Sequence, residues 1–195
     1  MNKVQFNLKN VHYAKLTPAE ALGGTPTFGT PKAIPGAVKL TLDQQGSVTP
    51  FYADGITYYN AVANNGYGGD LEVARYPDEM LQDIWGFELN ADKVLIEDAN
   101  VEPASFALLY QIDGDVNEDF YVLYNCTGTR PGIGSETITD TKTPHTRTST
   151  ISATPLASGK VMARTTEATS AEIKTNWFKS VYAGPATATT TTTEE

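Results

Sequence analysis

Few residues in this chain have the types and spacing for chemistry. The densest group is "DGDVNED", residues 113–119, where Asp113, Asp115 and Asn117 alternate like the first ligands of an EF-hand calcium loop. That loop also needs glycine at its sixth place and glutamate at its twelfth, and those places hold Glu118 and Tyr124. The stretch with Asp113, Asp115, Glu118 and Asp119 is therefore expected to be an acidic hairpin tip. "GYGGD" and "GIGSET" are glycine-rich, but neither opens a convincing helix, so the dinucleotide fingerprint is missing. "SGKV" has Val161 where a P-loop requires Ser or Thr, and Thr154 where it requires the upstream glycine. His12 and His145 are the only histidines, and neither has metal-ligand spacing to Cys126, the sole cysteine. Cys126 falls in a strand pattern and reads as an inert, partly buried thiol. No pair of carboxylates stands out for acid–base work. The expectation is a protein that is not an enzyme and uses no cofactor or metal.

The elements that would carry these residues belong to one domain. With 195 residues, 40% hydrophobic and 19% charged, the chain can bury about 70% of its unfolded surface. Threonine, serine and asparagine supply much of its polarity, which favours strands and turns. No apolar leader or run of about 20 apolar residues is present, and one cysteine allows no intrachain disulfide, so a reducing compartment is expected. The net charge of −9 argues against ordinary nucleic-acid affinity, which depends on cations displacing counterions. It is unevenly placed: residues 65–124 hold 14 acids against two bases, a net −12, and the remainder is net +3.

Val4, Phe6 and Leu8 alternate as one face of a strand whose parity breaks at Lys9-Asn10, predicting a bulge there. The proline- and glycine-rich stretch 17–36 is expected to hold no strand or helix. We expect it to be an arm that orders against a neighbouring subunit through Leu22, Phe28 and Ile34, and that can be deleted without unfolding the subunit. Val38, Leu40 and Leu42 predict a strand. Asp54-Gly55 predicts a hairpin turn between "SVTPFYA" and "ITYYNAVA", and Asn65-Gly66 a second turn into "DLEVARY". A helix follows, with Pro77 in its first position, Asp78 and Glu79 at its positive end and Gly86 at its stop. Its Met80, Leu81, Ile84 and Trp85 form one core-facing stripe. "KVLIED" reads as a strand, and "FALLYQI" and "FYVLYNC" as a hairpin around the acidic tip. Phe106, Leu108, Tyr110 and Ile112 share one parity, and Phe120, Val122, Tyr124 and Cys126 another. Because Leu109, Tyr121 and Leu123 are also apolar, both faces of this hairpin need a cover. A loop at 127–150 and strands at 150–156 and 160–165 come next. A helix opened by a Thr169/Glu172 capping box carries Ile173, Trp177, Phe178, Val181 and Tyr182. Residues 183–195 are low-complexity and expected to be disordered.

The stretch "YADGITYYNAVANNGYGGDLEVARYPDEMLQDIWGFELN" resembles the core of the phi13-type major tail proteins of long-tailed bacteriophages. "FNLKNVHYAKLT" and "IKTNWFKSVY" resemble that family's termini, so the likeness spans roughly Val4 to Tyr182. It implies a mainly β, sandwich or barrel-like tail-tube domain over residues 1–182, with a short flanking helix and a C-terminal helix. It further implies a structural virion protein, made in the host cytoplasm, whose copies form hexameric rings stacked into the tail tube. The implied partners are other copies, the tape measure, tail terminator and distal tail proteins, and DNA that passes through without specific binding; no membrane is implied. An acidic lumen would repel phosphate and let DNA slide. Strands apolar on both faces would meet the core on one side and a neighbour on the other.

Two other readings share this sequence. A monomeric β-sandwich binding module, an adhesin or carbohydrate-binding domain, would use Tyr58, Tyr59 and Tyr67 as a stacking platform. A tube protein of a contractile secretion system would share the architecture and differ in its sheath partners.

Overall fold

The structure, a computed structural model, describes residues 2–19, 24–137 and 144–184. Leu22 and most of the threonine-rich tail, 185–195, lie outside the described residues, so neither expectation for them is addressed. The chain runs through β1 (Gln5–Thr17), β2 (Thr27–Phe28), β3 (Lys32–Ala33), β4 (Ala37–Gln45), β5 (Val48–Ala53), β6 (Ile56–Val62) and β7 (Gly66–Val73). Then come α1 (Asp78–Trp85), β8 (Glu88–Leu89), β9 (Leu95–Ile96), β10 (Phe106–Gly114) and β11 (Glu118–Gly128). β12 (Arg147–Ala153), β13 (Met162–Arg164) and α2 (Ala171–Asn176) complete it. The fold is mainly β, antiparallel and sandwich-like, with two short helices.

One nine-stranded sheet, ordered β2-β1-β10-β11-β12-β7-β4, dominates, with β3 also on β1 and β13 also on β11. The strands β10 and β11 at its centre are buried on both faces. One face carries Phe106, Leu108, Tyr110, Tyr121 and Leu123 into a core shared with β7 and α1. The opposite face carries Ala107, Leu109, Phe120, Val122 and Tyr124 into a second cluster closed by Trp177. Cys126 departs from the parity expected of it and joins the first core. The cause is a one-residue shift in the β10–β11 ladder, from Phe106 opposite Cys126 to Leu108 opposite Leu123. The second face, expected to meet a neighbour, is thus covered largely by the chain's own C-terminal segment. Trp177 Nε1 donates to the Tyr121 carbonyl at 3.2 Å, and the Tyr124 hydroxyl donates to the Tyr182 carbonyl at 2.7 Å.

The bulge at Lys9-Asn10 is present, with Asn10 at φ 49° and a register break between Lys9 and His12. A second break, at Asn7 with φ 65°, was not foreseen. Asn tolerates this left-handed conformation better than most residues. Val4 and Phe6 are not half-buried as their alternation suggests but exposed, because burial in β1 begins at Val11.

Segment 17–36 also departs from expectation. It contains β2, paired to Leu16 and Thr17, and β3, paired to His12 and Tyr13. Ile34 is only 2% exposed in the first core, and its N–H donates to the Val11 carbonyl at 2.7 Å. Phe28 packs on the second cluster, 6.1 Å from the Tyr124 ring. Pairing to β1 satisfies backbone groups that a free arm would leave to water. Ile34 is therefore a core residue of its own subunit and not an inter-subunit anchor, and deleting 17–36 is expected to unfold the chain.

Helix α1 places Met80, Leu81, Ile84 and Trp85 in the core and ends on Gly86 at φ 68°, a left-handed cap. Pro77 is its N-cap, one position before the expected one. The second helix is shorter than its spacing suggests: Ser170, not Thr169, caps it, accepting from the Ile173 N–H, and Trp177 already lies past its last turn. Thr169 instead bonds within the preceding turn to Thr166. The loop expected at 127–150 is narrower, since β11 extends to Gly128 and β12 starts at Arg147. Strand β12 correspondingly begins before position 150 and ends at Ala153, and β13 spans three residues.

Trp85 is 1% exposed, stands edge-on to Tyr76 with centroids 5.3 Å apart, and donates from Nε1 to the Gly128 carbonyl at 2.9 Å. Trp85→Ala is expected to cost about 3–5 kcal/mol, measured as a lowered denaturant midpoint; an unchanged midpoint would refute this account of the core.

Candidate functional site

The large apolar residues that stay in water mark where the chain has unfinished business. They concentrate on β5 and β6. Asp54 at φ 54° and Gly55 at φ 78° make a two-residue turn of the type whose twist suits a hairpin. The strands pair from Val48 opposite Val62 to Ala53 opposite Ile56. Residues 46–65 hold one charge, Asp54. Val48, Phe51, Tyr52, Ile56, Tyr58, Tyr59 and Val62 are all between 60% and 73% exposed. These residues fall on both faces of the hairpin.

This hairpin continues the sheet. β4 pairs with β7 up to Gln45 opposite Gly66, and the Asn65 N–H to Gln45 carbonyl and Ala63 N–H to Ser47 carbonyl bonds carry the pairing on to β5 and β6. Residues 37–73 are thus one long hairpin whose base lies in the sheet and whose outer half projects from it. Asn65-Gly66 is accordingly not a turn between paired strands, since β6 and β7 pair with different partners. Gly66 is needed for close approach: at φ 99°, a Cβ there would collide with the Ala153 carbonyl of β12. The glycines of "GYGGD" thus serve backbone packing.

A second unfinished surface lies where the ends of the sheet approach each other. β4 comes beside β1, with no ladder between them among the described residues. There Phe6, Leu8, Leu40, Leu42, Tyr110 and Ile112 line an open cleft of about 410 Å³. Phe6 stands 55% exposed at its rim.

The acidic tip is held by the N-terminal strand. Asp113 pairs with Lys9 at 2.6 Å and accepts from Asn7 and Gln111. Asp115 accepts from the Lys3 N–H at 2.8 Å, and Asp119 from Asn2 and Gln5. Glu118 is exposed. The hydrogen bond from Lys9 holds the Asp113 carboxyl below its ordinary pKa. These groups fasten the start of β1 to the β10–β11 turn.

Among the described residues, no three His, Cys, Asp or Glu side chains gather to hold a metal ion. Cys126 is wholly buried, its thiol pushed up to about 12 by burial, whereas His145 is exposed, so the two do not meet. Among the described residues, no helix is long and apolar enough to cross a membrane. Tyr58 and Tyr59 lie on the hairpin, but Tyr67 is half-buried against the first core, so the three tyrosines do not form the platform expected of a sugar-binding face. No protein-family model matches the chain, and no curated protein matches it.

From the sequence, only Tyr58 and Tyr59 of the exposed hairpin residues stand out, as part of a stacking platform. A strong turn between two strands shows a hairpin but not whether anything covers it. The usable signal was their neighbourhood: apolar residues at both parities in a segment with one charge.

A polar cluster joins α1 to the base of the sheet. Asp83 accepts from Tyr13 at 2.9 Å and Lys32 at 2.7 Å. Burial pushes the Asp83 carboxyl pKa up, but the hydrogen bonds from Lys32 and Tyr13 outweigh it and leave the pKa below its ordinary value. The stability this provides is complete above the ordinary carboxylate range and lost as pH falls through the depressed value. Asp83→Asn should therefore lower stability at pH 7 and narrow the gap to wild type below about pH 4, followed by denaturant melts across pH. A constant gap would show that the Asp83 charge is not involved.

Proposed function

We propose that this protein is a structural subunit that assembles with copies of itself into the tube of a bacteriophage tail, through which DNA passes without specific binding. The observation that carries this reading is the projecting β5–β6 hairpin. A two-stranded hairpin in water is at best marginally stable, and seven large apolar side chains on it favour burial against another surface. Its aromatic residues alone expose roughly 400–700 Å² if each presents 60–70% of a 150–250 Å² side chain. That approaches the roughly 800 Å² that one partner contributes to a standard interface.

A hairpin on one part of a subunit and an acceptor on another make a heterologous contact, which closes into rings or continues into filaments. The resemblance of residues 52–90 to the phi13-type tail proteins supports hexameric rings stacked as a tube in the virion, meeting tape measure, terminator and distal tail proteins at its ends. The acidic excess of residues 65–124 suits a conduit that must not grip phosphate.

Negative-stain electron microscopy across a concentration series should show rings or hollow tubes. Phe51→Lys with Tyr59→Glu keeps an attractive cross-strand pair, so this variant should melt like wild type yet remain monomeric. Wild-type protein that stays monomeric at every concentration, or tubes from the double variant, would overturn the proposal.

A further inference from the structure

A projecting hairpin needs an acceptor, and its shape restricts what that acceptor can be. Both hairpin faces are apolar, so a flat surface would leave one face in water. A concave acceptor with apolar walls can cover more of it. The cleft between β1 and β4 has this form, with Leu8, Leu40, Leu42 and Ile112 half-buried within and Phe6 exposed at its rim.

The backbone makes the same case. Over Gln5–Asn10, β1 pairs with β10 and has no strand on its other side among the described residues. β4 likewise pairs only with β7. These are exposed edges with unpaired N–H and C=O groups, and such edges invite added strands. The positive-φ residues Asn7 and Asn10 interrupt the β1 edge, so β4 does not zip onto it in the lone chain.

Position along the fold selects the occupant. β4 forms one wall of the cleft through Leu40 and Leu42, and three residues beyond Leu42 its end at Gln45 leads into the hairpin. A second copy displaced along β4 brings its hairpin, whose six-residue β5 is about 20 Å long, to the cleft of the first. Donor and acceptor are different parts of the chain, so each copy can give and receive at once.

Resting on the self-assembly reading above, we propose that the β1–β4 cleft of one copy receives the β5–β6 hairpin of the next, packing Phe51 and Tyr59 against Phe6, Leu8 and Leu42.

The test uses two full-length variants, each confirmed folded by circular dichroism. The donor variant is Phe51→Lys with Tyr59→Glu; the acceptor variant is Phe6→Lys, at an exposed position on the rim of the cleft. Each variant alone should stay monomeric. Mixed, they retain one intact hairpin and one intact cleft, so light scattering should show a 1:1 complex of about twice the 21.0 kDa chain mass. Tubes from the acceptor variant alone, or no complex on mixing while wild type assembles, would place the acceptor elsewhere and overturn this inference while leaving self-assembly standing. Wild type that never assembles would overturn both.

Discussion

The β10–β11 pair is apolar on both faces, and the remaining architecture follows from that constraint. A strand pair of this kind cannot face water on either side, so the chain must supply two covers. Helix α1 and the β12–β7–β4 half of the sheet supply one. The C-terminal segment supplies the other, with Trp177 seated on the outer face and tied to the Tyr121 carbonyl. Even the segment most crowded with proline is drawn in: Phe28 extends the outer cluster and Ile34 the inner core.

With both faces of the central strands covered from within, the apolar surface left over is informative. It includes the hairpin, the rim of the cleft and the β8–β9 region, where Leu89, Val94, Ile96 and Val101 are exposed. Charge is arranged differently: the acidic tip is tethered by Asn2, Gln5 and Lys9, so those carboxylates fasten β1 to the β10–β11 hairpin. Polar groups thus fasten one end of this layer, while the hairpin keeps its apolar side chains in water.

Local signals were legible where the chemistry is local. The turn at Asp54-Gly55, the helix from Asp78 to Trp85 with its glycine stop, and the break at Asn10 each depend on a few neighbouring residues whose conformational preferences decide the outcome. The two-faced character of β10 and β11 was legible too, because strand parity is read directly from sequence. Parity failed at Cys126, where a ladder shift moved one residue to the other face. It failed again at Val4 and Phe6, whose alternation shows a strand but not what lies against it.

What the sequence determined by itself, then, is most of the longer strands, the Asp54-Gly55 turn, the mainly β class, the α1 stripe and the absence of recognised catalytic motifs. Pairing was decided only in three dimensions. β7 chose β4 and β12 over its sequence neighbour β6, and that choice left β5 and β6 as a hairpin projecting from the sheet. The physical reason is that alternation specifies two faces of a strand but neither of its edges. Edges are satisfied by whichever backbone arrives, and only the assembled sheet shows which ones remain open.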